Sequence, residues 1–273
     1  MIDLHLHSHY SDGTWAPRNL VEHAVQIGMK HIALSDHDTV DGIDEALQAA
    51  AGRIEVIPAV EINTVEAGHD VHILGYFIDR HNRELEAVLD RQKLARSRHL
   101  EACIERIAAS GVQITLESVR QCAGGNVGVL GRAHITEAIV KAGGAADITA
   151  AYEKYTRRGS PYYPERASVR PHDAILAILA AGGIPSIAHP GKEEYVIPLI
   201  ESLQKIGLLA VEAFHRVHSP ELTAFYIDYA SRKGLLVTGG SDCHGPYQEY
   251  PSLMGSIAVP PEVLSNLRKK SRN

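Results

Sequence analysis

Cysteine is scarce in this chain of 273 residues: Cys103, Cys122 and Cys243 are all it has, too few and too scattered for a disulfide framework or a thiolate zinc site. A reducing, cytoplasmic setting is therefore expected. No apolar run is long enough to cross a bilayer, and the first residues already read as a strand, so no membrane contact is expected either. Positive charge is also short, because 27 Lys and Arg against 33 Asp and Glu leave a formal net charge of −6. That balance excludes the basic track needed to grip long duplex nucleic acid, so a phosphate-bearing ligand would have to be held locally. The one basic run, Arg268-Lys269-Lys270-Ser271-Arg272, reads as a solvated end and not as a binding arm. Repeats, low-complexity tracts, a Gly-x-Ser-x-Gly elbow, a Walker loop and a Cys-His signature are all absent, so a protein nucleophile has no motif to stand on.

What is present is an ordinary globular composition, 45% hydrophobic and 22% charged, with one anomaly: 16 histidines. Seven short apolar runs read as buried strands, at residues 2–6, 31–34, 54–60, 71–77, 184–188, 208–213 and 235–238. Helical patterns lie between many of them. Those at 17–27, 41–51, 172–181 and 220–233 each stop at a glycine, and two of them open on a proline suited to a first turn. Alternation of this kind predicts parallel βαβ units, and seven strands predict a closed, barrel-like sheet. The alternation breaks in the middle, where residues 82–110 read as one long amphipathic helix. Shorter helices follow at 116–122, 132–141 and 148–157, punctuated by Gly124-Gly125 and Gly143-Gly144, before the stiff stretch from Gly159 to Pro164. The expected organisation is a barrel domain at 1–81 and 171–273 with a helical insertion at 82–170 hanging over it as a lid.

The chemistry-bearing residues fall at the strand exits. Strand one gives His5 and His7 with Asp12 in the next loop; strand two gives Asp36, His37 and Asp38; strand three gives Glu61. The fourth run carries His72, and later exits give His189, Glu212 with His215, and Asp242 with His244. Residues two apart in a strand point the same way, so His5 and His7 share a face, and so do Asp242 and His244. In a parallel barrel the carboxyl ends of the strands meet at the active face. A buried cluster of this kind would be costly without a cation. Mixed imidazole and carboxylate donors suit zinc, manganese or iron better than a purely magnesium site.

These residues resemble the PHP (polymerase and histidinol phosphatase) family. The strings that carry the resemblance are Asp3-Leu4-His5-Leu6-His7-Ser8 with Ser11-Asp12-Gly13, Ser35-Asp36-His37-Asp38, Pro58-Ala59-Val60-Glu61, His72-Ile73-Leu74-Gly75, Ala188-His189-Pro190 and Gly240-Ser241-Asp242-Cys243-His244. Gly131-Arg132-Ala133-His134-Ile135 resembles a further motif of the stand-alone bacterial members that act on nucleotides, with Ala133 where that motif has proline. The resemblance implies an α/β fold, a distorted (β/α)7 TIM-like barrel, and two to three divalent ions that activate a water for attack on phosphorus. It assigns His5, His7, Glu61 and Asp242 to a first ion, Glu61, His72 and His189 to a second with Glu61 bridging, and Asp12, His37 and His244 to a third.

Arg132 is the candidate phosphate clamp, since guanidinium matches phosphate oxygens two at a time. On its residue type alone it would be a surface helix charge. His134 is a candidate phosphate donor or general acid, and His215 a similar phosphate contact, with His218 behind it. Asp3, Asp36 and Asp38 are expected to support the ligands from behind, the last two by orienting His37. Histidines 9, 23, 31, 69, 81, 99 and 172 are expected at the surface, while Cys243, Trp15, Tyr162 and Tyr163 are expected to serve packing. The implied activity is phosphoester hydrolysis on a small phosphorylated partner, a nucleotide or short oligonucleotide, most specifically the 3′-phosphate of a nucleoside 3′,5′-bisphosphate. The rival readings are a histidinol-phosphatase-like phosphomonoesterase, an amidohydrolase-type C–N hydrolase, and a PHP module without catalysis. The second is disfavoured because no lysine ends a strand, and the third because every ligand position is filled.

Overall fold

The computed structural model describes residues 1–123, 130–165, 169–246 and 252–272. Its strands are β1 (Ile2–Leu6), β2 (His31–Leu34), β3 (Glu55–Glu66), β4 (His69–Tyr76), β5 (Ile184–Ile187), β6 (Ala210–His215) and β7 (Leu236–Gly240). They form one sheet in the order β1 to β7. The sheet curls until β1 meets the exit of β7, where the His7 amide donates to the Cys243 carbonyl at 3.0 Å. The result is a nearly closed seven-stranded barrel, as expected.

One strand corrects the expectation of parallel βαβ units throughout. β4 runs antiparallel to both β3 and β5. The cause is local: Ala67 and Gly68, at φ 47° and 82°, make a two-residue hairpin turn, and no crossover helix separates β3 from β4. His72 therefore lies near the start of its strand and not at its carboxyl end, paired with Asn63, two residues past Glu61. β3 is longer than its apolar run because its second half is one arm of this hairpin.

Around the sheet run α1 (Pro17–Gln26), α2 (Ile43–Ala50), α7 (Pro171–Ala180), α8 (Val196–Gln204), α9 (Pro220–Lys233) and α10 (Pro261–Ser271). α8 and α10 carry no expectation from the sequence. Pro198 sits in the first turn of α8, where a missing N–H costs nothing, and α10 buries Leu264 and Leu267. The basic end is thus partly structural: Arg268, at the end of α10, donates to Glu55 at the start of β3.

Between β4 and β5 come α3 (Arg83–Ala109), α4 (Leu116–Cys122), α5 (Arg132–Lys141) and α6 (Ile148–Ala151), the last continued by a π-helical turn over Tyr152–Thr156 where one unbroken helix was expected. Gly124-Gly125 lies outside the described residues. The chain forms two compact units, Met1–Leu89 with Val169–Asn273, and Asp90–Ser168. The boundary falls later than residue 82 because Leu85, Val88 and Leu89 of α3 are buried in the barrel's core. The second unit has its own core, built on Leu100, Cys103, Ile107, Ile135, Ile139 and Tyr155.

Candidate metal centre

Glu61 is fully buried, and its two carboxylate oxygens face different groups of histidines. Oε2 lies 3.2 Å from His5 Nε2, 3.3 Å from His7 Nε2 and 3.0 Å from His37 Nδ1. Oε1 lies 2.9 Å from His72 Nδ1 and 3.1 Å from His189 Nε2. Asp242 joins the first group, with Oδ1 at 3.5 Å from His5 Nε2 and 3.2 Å from His7 Nε2. Asp12 gathers the remainder, 3.1 Å from His244 Nε2 and 3.8 Å from His37 Nε2. The residues expected at each ion are thus brought together, with His37 offering one nitrogen to Glu61 and the other to Asp12.

The donor set fits divalent ions. Two donors bonded to one ion at about 2.0–2.2 Å, at right to tetrahedral angles, stand about 2.8–3.6 Å apart, and most of these spacings fall in that window. Both ring nitrogens of His7 are buried without a hydrogen bond among the described residues, an arrangement that is costly unless one of them is a ligand. Seven imidazoles, of His5, His7, His37, His72, His189, His215 and His244, adjoin one another with centroids 4.3 to 6.2 Å apart. Electrostatics agree with this reading. Burial pushes the Glu61 carboxyl up, but His37, His5 and His72 outweigh it and hold it well below its ordinary value. Asp12 and Asp242 follow the same pattern. Burial works against a charged His7 ring, yet Asp242 and Glu61 lift it to about 10. The cluster calls for positive charge at its centre.

Backbone geometry holds these donors in place. Asp38, His189 and Asp242 have φ values of 55°, 25° and 54°, conformations that side-chain-bearing residues seldom adopt. His244 Nδ1 donates to the Asp242 carbonyl at 3.0 Å, which leaves the Nε2 lone pair facing Asp12. Gly240 permits the closure of the barrel, since a Cβ there would lie 2.4 Å from both the Cβ and the amide nitrogen of His5.

The three supporting aspartates are buried, but they brace backbone more than rings. Asp3 accepts from the Ser241 amide at 2.9 Å and hydroxyl at 2.6 Å, and from the Gly255 amide at 3.0 Å, tying β1 to the exit of β7. Asp36 was expected to orient His37. Its hydrogen bonds go instead to the Ser8 amide and hydroxyl and to the Ser11 hydroxyl, at 2.6 to 2.7 Å, so it shapes the loop that carries Asp12. Asp38 accepts from the Asn63 amide at 2.9 Å and so grips β3 just past Glu61.

The exit of β6 adds three residues. The Val217 amide donates to His215 Nδ1 at 3.3 Å, which places the ring proton on Nε2. That buried Nε2 lies 3.5 Å from Asp242 Oδ2 and makes no hydrogen bond among the described residues, so His215 presents a donor and not a lone pair. Arg216, half-exposed, puts Nη2 3.5 Å from the same oxygen. In the sequence Arg216 gives a single signal, a cation next to a candidate at a strand exit. His218 has both nitrogens engaged, with the Ala213 carbonyl at 2.9 Å and the Gly191 amide at 3.2 Å, and so serves as a loop brace. Glu212, buried in β6, contacts both His5 and the His189 backbone.

In the second unit, Arg132 opens α5 and its Nε donates to the Tyr163 hydroxyl at 3.1 Å. The Gly131 amide donates to His134 Nδ1 at 3.1 Å, which puts the ring proton of neutral His134 on Nε2. Tyr162 and Tyr163 pack against that unit's core, Cys243 is buried in the barrel, and Trp15 packs beside it. Of the histidines expected at the surface, 69, 81 and 172 are exposed and 9, 23, 31 and 99 half-buried.

Comparison with known proteins agrees with this geometry. Residues 3–159 match the PHP domain family. A 3′,5′-nucleoside bisphosphate phosphatase of Chromobacterium violaceum is 34% identical over 90% of this chain and 87% of its own length. A 5′-3′ exoribonuclease of Haemophilus influenzae is 35% identical over 89% of this chain and 90% of its own. A solved structure from Bifidobacterium adolescentis, described as a metal-dependent phosphoesterase, is 29% identical, with a TM-score of 0.87 over 98% of this chain and 96% of that one. With a buried histidine–carboxylate cluster at the mouth of a nearly closed barrel, this chain belongs to the PHP domain family and is a metal-dependent hydrolase of phosphoric esters.

Proposed function

We propose that the chain removes a phosphate from a nucleotide, most specifically the 3′-phosphate of a nucleoside 3′,5′-bisphosphate, using two to three divalent ions of the manganese, zinc or iron type. The observation that carries this reading is the split of Glu61, one oxygen toward His5 and His7 and the other toward His72 and His189, next to a fixed His215 donor and the Arg216 cation. Ions held there would supply the activated water and the charge that neutralises phosphoryl oxygens. The residues do the remainder. Glu61 and Asp242 hold the first donor set together. The His215 Nε2–H stands ready to donate to a phosphoryl oxygen, and Arg216 supplies a guanidinium on the outer oxygen of Asp242. Arg132 and His134 are assigned to the substrate's phosphate by their motif. The bisphosphate is preferred because the Chromobacterium relative carries that name over nearly its whole length.

A second reading, 5′-to-3′ trimming of RNA, is favoured by the Haemophilus relative, at 35% identity against 34% for the Chromobacterium one. Among the described residues no lysine ends a strand of the barrel, and the bridging position is held by Glu61, which favours phosphoester over C–N chemistry.

The test is to assay the purified, metal-loaded protein on adenosine 3′,5′-bisphosphate, a 5′-phosphorylated oligoribonucleotide and histidinol phosphate. Phosphate release from the bisphosphate, leaving adenosine 5′-monophosphate, is expected, and His7→Ala should lose at least about 1,000-fold with an unchanged circular dichroism spectrum. No release from the bisphosphate with manganese, zinc, iron or magnesium would sink this version. Mononucleotides released from RNA alone would select the second reading.

A further inference from the structure

Glu212 is a buried carboxylate outside the three ligand sets that the family pattern assigns, standing beside His5 and His215, and each of its oxygens makes a hydrogen bond. Oε1 lies 3.0 Å from His5 Nδ1, and Oε2 accepts from the His189 backbone amide at 2.8 Å. Its side chain is wholly inaccessible to solvent. His5 and His189 belong to different donor sets, and both reach Glu61 on the inner side. His189 also holds a φ of 25°, so its amide is fixed in a direction the chain does not favour.

From this geometry we infer that Glu212 is a positioning residue that sets the tautomer of His5 and the backbone of His189 together, and so readies both donor sets for divalent ions. The inference rests on the reading of His5 and His189 as ligands. A carboxylate beside Nδ1 keeps the proton there and leaves a lone pair on Nε2, the nitrogen that faces Glu61 and Asp242. A glutamine at this position cannot serve both donors. If its amide NH2 meets the His189 N–H, the strained backbone loses its acceptor. If it meets His5 Nδ1, that nitrogen must become the acceptor, the proton moves to Nε2, and the lone pair for an ion disappears. Loss of such a partner weakens metal binding by about 10–100-fold.

The sequence carries a trace of this role. Residues 208–214 are apolar except for Glu212, and a lone acid in a buried strand needs a partner.

The experiment compares wild type, Glu212→Gln and His5→Gln by zinc and manganese titration against a competing chelator. It also reads the imidazole tautomers of the zinc-loaded wild type by nitrogen-15 NMR, assigning His5 by the signal missing from His5→Gln. Binding weakened about 10–100-fold in Glu212→Gln, with the His5 proton on Nδ1 in wild type, is expected. Wild-type affinity in Glu212→Gln while His5→Gln loses an ion would overturn the role of Glu212 alone. Wild-type affinity in His5→Gln would overturn the ligand reading beneath it. If Glu212→Gln does not fold, the wild-type spectrum decides, since a His5 proton on Nε2 contradicts the assignment.

Discussion

His215 and its neighbours separate two roles that look alike in sequence. A histidine that ligates must turn a lone pair inward, whereas His215 spends its Nδ1 lone pair on the Val217 amide and turns Nε2–H toward Asp242. It should therefore be dispensable for metal and needed for turnover. His215→Ala is expected to keep its metal content and lose about 100–1,000-fold in kcat, the usual cost of removing one donor to developing negative charge. His215→Gln, which keeps an N–H near the same place, should recover part of that loss. Metal lost from His215→Ala would make it a ligand instead. Arg216→Ala should act on binding, because an exposed guanidinium holds substrate and transition state alike. A rise in KM of about 10-fold with little change in kcat is expected, and the same shape for Arg132→Ala would support its place on the phosphate. The sequence marked His215 and Arg132 as candidate phosphate contacts but not Arg216 or the His215 tautomer, because a tautomer is set by which backbone amide happens to stand beside the ring.

Elements explain what was legible and what was not. Seven of the nine residues expected as ligands sit at or just past the end of an apolar run and so stand out in one dimension. Asp12 instead follows in a loop, His72 lies near the start of its strand, and the grouping into ligand sets came from the family resemblance. Helices that begin at proline and stop at glycine were equally visible: α9 spans the range its pattern predicts, and α1 and α7 differ by a residue or so. Strand direction was not, since an apolar run reads the same forwards and backwards. The clue was the ten-residue gap between the runs 54–60 and 71–77, too short for a crossover helix, with Ala67-Gly68 in its midst. Reversing β4 explains how His72 still reaches Glu61. The seam between β1 and β7 gives the sharpest prediction at this scale. A methyl group at Gly240 would meet His5 at 2.4 Å on its backbone nitrogen, which cannot swing aside like a side-chain tip. Gly240→Ala should therefore cost about 1–3 kcal/mol or more and also displace His5. The expected result is a lower Tm together with weaker metal binding. An unaltered melting curve would show that the strands separate freely.

At the scale of the whole molecule, the two units have different relations to the metal. The barrel unit contains every residue of the donor cluster, with its imidazoles and carboxylates gathered close together. The unit of Asp90–Ser168 has its own core, and none of the donors lies within it. Folding of the barrel should then be linked to metal, because an ion that binds the folded state alone stabilises it in proportion to its occupancy. One ion at a hundred times its Kd contributes about 2.7 kcal/mol, which for a unit of this size moves Tm by about 5–10 °C. Trp15 is the only tryptophan and packs in the barrel, so its fluorescence reports that unit. A Trp15→Phe, Tyr152→Trp variant would report the other. Exhaustive chelation should lower the Trp15 transition by at least about 5 °C and leave the Tyr152→Trp transition where it was. Two transitions that move together would show that the units melt as one body. A Trp15 transition indifferent to chelation would show that the cluster holds its shape without ions, and the case for metal as a structural partner of the barrel would fail.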